Sequence, residues 1–366
     1  MRKLATLKRL FDDRALYCQL IVTRRCNLAC GYCNEYDAVS KPVPYDDLVR
    51  WMDHLVDGLG VTIMDFLGGE PLLHPRIADL VRHAHDKGCW TNIITNGLLL
   101  SDALVDALND AGLDSMCVSI DRIEPTDFTH KGLRPLRKKL ARLRERARFQ
   151  VECNAVLCEE TLDEFEALVL ELKALGFPVR CGVRHYEGRL ELNEAVREKL
   201  EWFHAHFRHW RIAPMMDLHR ARIAGKHPEW KCTGGYKFLY VDEFGTVKAC
   251  SQVGLRAPKH VLDTTVADLK ANDHHKPCER ECGVSCVIQT SLITASPIGY
   301  AVRCASHLLR TRGQGVAYGG WLPAADVRYR RTAAGGEAAV ATREPASVSP
   351  GAFESAHPNC RSVTEG

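Results

Sequence analysis

The chain lacks several features that would assign it quickly. It has no run of about 18 apolar residues, so no segment reads as a membrane span. It has no strong charge of either sign. A net charge of +3 over 366 residues gives no global field to favour nucleic acid or a membrane surface. The opening stretch MRKLATLKRLFDDRALY has basic residues but neither a long apolar core nor a small-residue cleavage site, and it reads as mature cytoplasmic sequence. The histidines show no metal-ligand spacing, and His274-His275 reads as a surface loop. No internal repeat is visible beyond an alternation of strand and helix.

Cysteine, by contrast, is abundant, with sixteen residues. In a reducing compartment, clustered cysteines bind metal and scattered ones act as small core hydrophobes. Cys18, Cys89, Cys117, Cys153, Cys158 and Cys181 lie in or beside apolar runs and read as core. Cys26, Cys30 and Cys33 form a tight C-x3-C-x2-C group, and Cys232, Cys250, Cys278, Cys282 and Cys286 form a looser second one.

From about residue 17 to 210 the pattern is strand, then helix, repeated. YCQLIVT (17–23), VTIMDFLGG (61–69), CWTNIITNG (89–97), DSMCVSID (114–121), FQVECNAVL (149–157) and PVRCGVRH (178–185) read as strands, rich in Val, Ile and Thr and bounded by Gly, Asp or Pro. Between them, Ser101 can cap a helix that ends before Gly112, and Thr161 with Glu164 reads as a capping box for a helix stopped by Gly176. Ile77, Leu80, Val81 and Ala84 mark another helix. The cationic stretch RPLRKKLARLRERARF reads as an outer helix, with Leu136, Leu140 and Leu143 packed inward and its charges solvated. RNA or an acidic lipid surface is the alternative for that helix. Six such units imply an α/β fold, a partial (β/α)6 TIM-like barrel, with function at the C-terminal ends of the strands.

The expected organisation is an N-terminal extension (1–16), the partial barrel (17–210), a small C-terminal cysteine-rich auxiliary-cluster region (211–331) and a disordered tail (332–366). The tail is rich in Ala, Gly, Ser, Pro and Glu, and its Cys360 is not expected to be a ligand.

Three thiolates can anchor three irons of a [4Fe–4S] cube and leave the fourth open. Zinc is the alternative, with a fourth ligand from elsewhere, His54 or His74. C-x3-C-x-aromatic-C, with Tyr32 before Cys33, resembles the signature of the radical S-adenosylmethionine superfamily. GGEP after the second strand (Gly68, Gly69, Glu70, Pro71), ITNG after the third (Thr95, Asn96, Gly97) and SID at the end of the fourth (Ser119, Asp121) extend that resemblance over roughly residues 17 to 210. It implies a [4Fe–4S] cluster on Cys26, Cys30 and Cys33. S-adenosylmethionine would chelate the open iron, supported by Tyr32, the GGEP residues, Thr95, Asn96, Ser119 and Asn154. The glycines would let backbone approach the ligand, and Glu70 would face its ammonium. Reductive cleavage would yield a 5′-deoxyadenosyl radical that takes a hydrogen atom from the substrate.

Farther on, CTGGYKFLYVDEFGTVKAC reads as a hairpin that brings Cys232 and Cys250 to one end, and CERECGVSC follows. A cysteine, a strand, Gly245-x4-Cys250 and then later cysteines resemble the SPASM or twitch extensions that hold auxiliary [4Fe–4S] clusters. The C-x3-C-x3-C of Cys278, Cys282 and Cys286 departs from the full SPASM pattern. One auxiliary cluster is therefore expected, on Cys232, Cys250 and two of those three, with Cys304 as the remaining candidate. A structural zinc knot on the same thiolates is the alternative.

Strand alternation places Cys117, Ser119 and Asp121 on one face and Met116, Val118 and Ile120 on the other. It pairs Glu152 with Asn154 and Arg180 with Arg184, and sets Tyr17 with Gln19. Cys117, Glu152, Arg180 and Arg184 are the catalytic candidates. The arginines either meet a carboxylate or phosphate ligand or form an internal Glu–Arg pair. The expected substrate is a small metabolite, because only about sixteen residues precede the first strand, too few for a peptide-recognition domain. A peptide is the alternative within the family, and a zinc-bound interaction module the alternative outside it. A flavodoxin or ferredoxin would donate the electron. Nucleic acid is not expected as a partner.

Overall fold

The structure is a computed structural model and describes residues 2–186, 189–207 and 213–310. The expected tail and Cys360 lie outside these residues. Six strands, β1 (Tyr17–Thr23), β2 (Ile63–Gly68), β3 (Trp90–Thr95), β4 (Ser115–Ser119), β5 (Gln150–Leu157) and β6 (Val179–Val183), run parallel, each paired with the next. Helix α1 (Arg2–Arg9) precedes them, and α2 (Tyr45–Asp53), α3 (Ile77–Asp86), α4 (Asp102–Asp110), α5 (Arg137–Arg146) and α6 (Leu162–Ala174) form the crossovers. Crossovers of this kind place helices over one face of a parallel sheet. That face is one continuous apolar core built from Met64, Phe66, Ile93, Met116, Val118, Val151, Cys153 and Val179 with the helices' inner residues. The side chains that alternate with these point the other way and are largely polar.

The helix stops are as punctuated in the sequence. Ser101 accepts a hydrogen bond from the Leu104 N–H and caps α4. Leu136, Leu140 and Leu143 are each 1% exposed, and the cations of α5 pair with neighbouring helices through Arg142–Asp102, Arg146–Asp106 and Arg137–Glu171. The capping box at Thr161 is not made. The Thr161 hydroxyl instead closes a turn on the Val156 carbonyl at 2.9 Å, and Glu164 accepts from the Ile123 N–H at 2.9 Å. A distant loop outcompeted the local partner.

Past β6 come a short hairpin of β7 (His185–Tyr186) and β8 (Arg189–Leu190), then α7 (Glu194–His206) and α8 (Ala213–Ile223). The cysteine-rich region follows, with β9 (Phe238–Val241), β10 (Val247–Lys248), α9 (Val266–Ala271), α10 (Ser285–Ala295) and α11 (Pro297–Arg310). β9 pairs in parallel with the free edge of β1, Tyr17 opposite Phe238 through Leu20 opposite Val241, and β10 returns antiparallel on β9. The sheet therefore has eight strands in the order β10-β9-β1-β2-β3-β4-β5-β6. The hairpin that carries the later cysteines extends the sheet that carries the earlier ones. A second apolar cluster joins Tyr17 and Ile21 of β1 to Phe238, Tyr240, Cys232, Cys250, Cys282 and α10 residues Val287 and Ile288. Among the described residues no helix is long and apolar enough to cross a membrane.

Candidate active site

The loop after β1 carries Cys26, Cys30 and Cys33 at the C-terminal end of the sheet. β2 presses against its root. Gly68 has φ +145°, and a Cβ there would lie 1.8 Å from the Thr23 carbonyl oxygen; one on Gly69 would lie 2.3 Å from that of Arg24. Gly69 N and Glu70 N donate to Thr23 O and Arg25 O, both at 2.9 Å. The close approach that the glycines permit is thus to the backbone leading into Cys26.

Glu70 is fully buried. Its Oε1 accepts from Leu72 N at 3.0 Å and from the Thr95 hydroxyl at 2.7 Å, and its Oε2 accepts from Asn96 N at 2.8 Å. Burial pushes its carboxyl up, while Thr95, Asn96 and Leu72 oppose that. Glu70 so ties the end of β2 to the end of β3. It also fixes Asn96, whose Nδ2 donates to Asn27 Oδ1 at 2.7 Å and lies 3.9 Å from Cys26 Sγ.

Opposite, Tyr32 donates to Asp121, a fully buried carboxylate that also accepts from Thr129 Oγ1 at 3.0 Å and from Val156 N at 3.0 Å. Thr129 Oγ1 lies 3.8 Å from Cys30 Sγ, so its one proton is shared between carboxylate and sulfur. Lys131 donates to the Tyr32 hydroxyl at 2.8 Å. Burial alone would lower its pKa, but Tyr32, Asp121, Cys30 and Cys33 hold it well above the usual lysine range. Burial raises the Tyr36 phenol, and the charges of Cys33, Cys30 and Cys26 raise it further.

Of the two histidines considered for a zinc site, His74 has both ring nitrogens engaged and His54 has one. His54 Nε2 bonds the Thr264 carbonyl at 2.8 Å, and His74 bonds the Val43 carbonyl at 3.0 Å and the Arg76 N–H at 3.2 Å. Among the described residues no three Cys, His, Asp or Glu side chains converge on a single ion. Three thiols on one loop, with Leu28 N, Asn96 Nδ2 and Thr129 Oγ1 directed at their sulfurs, are a donor set that fits an iron–sulfur cluster.

The second cysteine group sits beyond β9. Gly234 lies against Ala249, where a Cβ would come 2.6 Å from the carbonyl oxygen, and this brings Cys232 alongside Cys250. Gly245 (φ +77°) makes the hairpin turn. Glu279 braces the whole group. Its Oε1 accepts from Cys232 N at 2.8 Å and Lys276 N at 2.9 Å, and its carbonyl accepts from Trp230 Nε1 at 2.9 Å and Arg222 at 3.0 Å. Arg222 also donates to the Cys282 carbonyl at 2.6 Å. After burial, the pKa of Cys282 is raised by Cys232, Cys250 and Cys278 in turn, so these four thiols share one neighbourhood. Cys286 faces two ways, towards Asp65 and towards Cys250. Cys304 lies apart on α11, its charged neighbours being Arg303 and Asp217.

Between the two groups is the polar face of the barrel. Register places Ser119 opposite Asn154 and Asn154 opposite Arg180, with Cys117 opposite Glu152. Arg180 pairs with Glu152 at 2.8 Å. Arg184 lies past the end of β6 and pairs with Glu160 at 2.9 Å and with Glu191. Both arginines therefore already have carboxylate partners. Tyr17 donates to Asp65, which is 1% exposed. The sequence reading passed over Asp65 and Lys131. A lone carboxylate inside the apolar strand VTIMDFLGG is a legible signal for the first; Lys131 sits on an irregular loop and gives none.

Residues 20–139 match the family model described as the radical SAM superfamily. A PqqA peptide cyclase from Granulibacter bethesdensis is 26% identical over 270 residues, covering 68% of this chain and 71% of that protein. A GTP 3′,8-cyclase from Chlorobaculum tepidum is 42% identical over 119 residues, which is 31% of this chain and only 35% of the relative's length. Streptococcus suis SuiB, in a crystal structure bound to precursor peptide SuiA, superposes with a TM-score of 0.54 at 15% identity, over 78% of this chain and 73% of that one. That last likeness is one of fold.

Proposed function

The chain is a radical S-adenosylmethionine enzyme with a cysteine-rich auxiliary region, and we propose that it oxidatively modifies a peptide held in the barrel between two [4Fe–4S] clusters. The observation that carries this reading is the placement of two separate thiol groups on one sheet, with Cys286 near both Asp65 of the polar barrel face and Cys250 of the second group. We assign Cys26, Cys30 and Cys33 to the first cluster, and Cys232, Cys250, Cys278 and Cys282 to the second, with Cys286 at its barrel side. Together the first cluster and S-adenosylmethionine supply a carbon radical able to take a hydrogen atom from an unactivated C–H bond.

The protein's own residues have narrower tasks. Glu70, Thr95 and Asn96 form a buried hydrogen-bonded corner that holds the rim where the cofactor's amino-acid end would bind. Tyr32, Asp121 and Lys131 fix the far side of the cysteine loop and keep a positive charge beside Cys30 and Cys33. Ser119 and Asn154 share the inner layer nearest that rim. The Glu152–Arg180 pair and Cys117 line the layer behind it. Flavodoxin or ferredoxin would deliver the electron, in a reducing cytoplasm that keeps these thiols free.

A peptide substrate draws support from the likeness to PqqA peptide cyclases and to a peptide-bound SuiB fold. This reverses the preference drawn from the short N-terminal segment. A small metabolite is the second reading, and the similarity of the first strands to a GTP 3′,8-cyclase favours it. Anaerobic reconstitution should give about eight irons per chain. Transfer of deuterium from a labelled peptide into 5′-deoxyadenosine would support the peptide reading; transfer only from labelled nucleotides or sugars would replace it with the second.

A further inference from the structure

The barrel's inner layer has more acid than base. The charged side chains that face one another there are Asp65 on β2, Glu152 on β5 and Arg180 on β6. Their strand neighbours Met64, Phe66, Val151 and Cys153 belong to the apolar core on the other face, which fixes the inward direction of the polar set. Arg180 donates to Glu152 Oε1 at 2.8 Å and so neutralises one carboxylate. Glu152 Oε2 has no hydrogen-bond partner, and neither has Asp65 Oδ1, although Asp65 is 1% exposed. Tyr17 engages only Asp65 Oδ2. Asn92 lies beside Asp65 in register and is a second hydrogen-bonding neighbour of that carboxyl, while its own Oδ1 accepts from the Ser115 hydroxyl at 3.0 Å.

An orphaned buried carboxylate oxygen costs about 1–3 kcal/mol or more, so native proteins rarely keep one without a use. Two of them flank a single guanidinium inside this barrel. The geometry points to a binding subsite, formed by Asp65 Oδ1 and Glu152 Oε2, for a cationic nitrogen group of the substrate, an ammonium or a guanidinium. The inference rests on reading the barrel as the substrate chamber. Two facts exclude the simpler occupants. Two carboxylates without a third ligand do not make an ion site, and none is found among the described residues. An anionic substrate group would add to an inner layer that already sets two carboxylates against the one guanidinium of Arg180, whose charge Glu152 already meets. A proton offsets part of that cost, since burial lifts the Asp65 carboxyl to about 7 despite Tyr17, Asn92 and Arg180. A bound cation would take that proton's place.

The test uses reconstituted holoenzyme with S-adenosylmethionine and four small probes: n-butylammonium, n-butylguanidinium, n-butanol and butyrate. Calorimetry and the thermal-unfolding midpoint report binding without any turnover. The two cations should bind at least about tenfold more tightly than butanol or butyrate. Asp65→Asn should remove most of that preference, and Glu152→Gln should remove part of it, each in protein with wild-type iron content. Equal binding of cation and anion, or an undiminished preference in both variants, overturns the subsite. Should Asp65→Asn fail to fold, Glu152→Gln alone decides. Formation of 5′-deoxyadenosine by the same preparation, with no probe present, is a separate readout; its absence would count against the radical reading and leave the probe result standing.

Discussion

Around Cys26, Cys30 and Cys33 the hydrogen bonds are aimed at sulfur, with Leu28 N at 3.4 Å, Asn96 Nδ2 at 3.9 Å and Thr129 Oγ1 at 3.8 Å. Around the second group Glu279, Arg222, Lys276 and Trp230 brace the backbone, and the sulfurs meet main-chain N–H groups, Gly234 at 3.3 Å from Cys232 Sγ, Gln252 and Val253 at Cys250, and Val284 at Cys282. Hydrogen bonds to cluster ligands adjust reduction potential, whereas bonds to the carrying backbone fix shape. Side-chain donors, Asn96 and Thr129, reach sulfur in the first region, whereas main-chain donors on a braced backbone do so in the second, so the first is adjustable by single side chains and the second is fixed by the fold. That division suits a site that must exchange a cofactor and one that keeps a closed set of ligands.

The comparison can be broken most directly through the thiols. Cys30→Ala should abolish 5′-deoxyadenosine formation, by at least about 1,000-fold, while sparing roughly half the iron. Cys282→Ala should lose the other half and keep the spectral response to S-adenosylmethionine. Iron analysis with cofactor titration distinguishes the two, and a loss of both iron pools in either variant would mean that the regions are not independent. Next in size, Glu279→Ala removes a buried carboxylate with several partners, and it should cost about 3–5 kcal/mol in chemical denaturation and empty the second region before the first.

Asp65 lies between the regions and gives a pH test. Its folded pKa, about 7, is above that of an unfolded aspartate, so the folded state holds the extra proton. Stability should fall as pH rises from about 4 to about 7, by at most about 4 kcal/mol from this group. Asp65→Asn should accordingly raise the melting temperature by several degrees at pH 8 and have little effect near pH 4. An equal gain at both pH values would locate the proton elsewhere. Smallest of all, Thr129→Val should alter the reduction midpoint of the first region at a cost of about 1.5–3 kcal/mol, since the buried hydroxyl donates to the Asp121 carboxylate. Potentiometry on the variant checks it, and the second region's midpoint should not move.

The strand–helix alternation was legible because each strand carried its β-branched residues between glycines, and Gly88, Gly112 and Gly176 take the positive φ angles that end their helices. The cysteine groups were legible from spacing. What could not be read depended on distance. Glu164 left its own helix end for Ile123 because tertiary contact outranked a local cap. The pairing of β9 with β1 joins residues more than two hundred positions apart, and no local pattern announces it. For Arg180 and Arg184 the sequence left an anionic ligand and an internal Glu–Arg pair equally open, and only the placement of Glu152, Glu160 and Glu191 beside them shows the pairs.

That long-range pairing also sets an order of events during synthesis. One edge of β1 exposes unpaired amide and carbonyl groups until the ribosome has made Phe238–Val241. At roughly 5–20 residues per second the wait is about ten to forty seconds. Throughout it the nascent chain presents the open strand edge that invites pairing with a neighbour, so yield in a heterologous host should depend more on translation speed and holding chaperones than on the stability of the finished barrel.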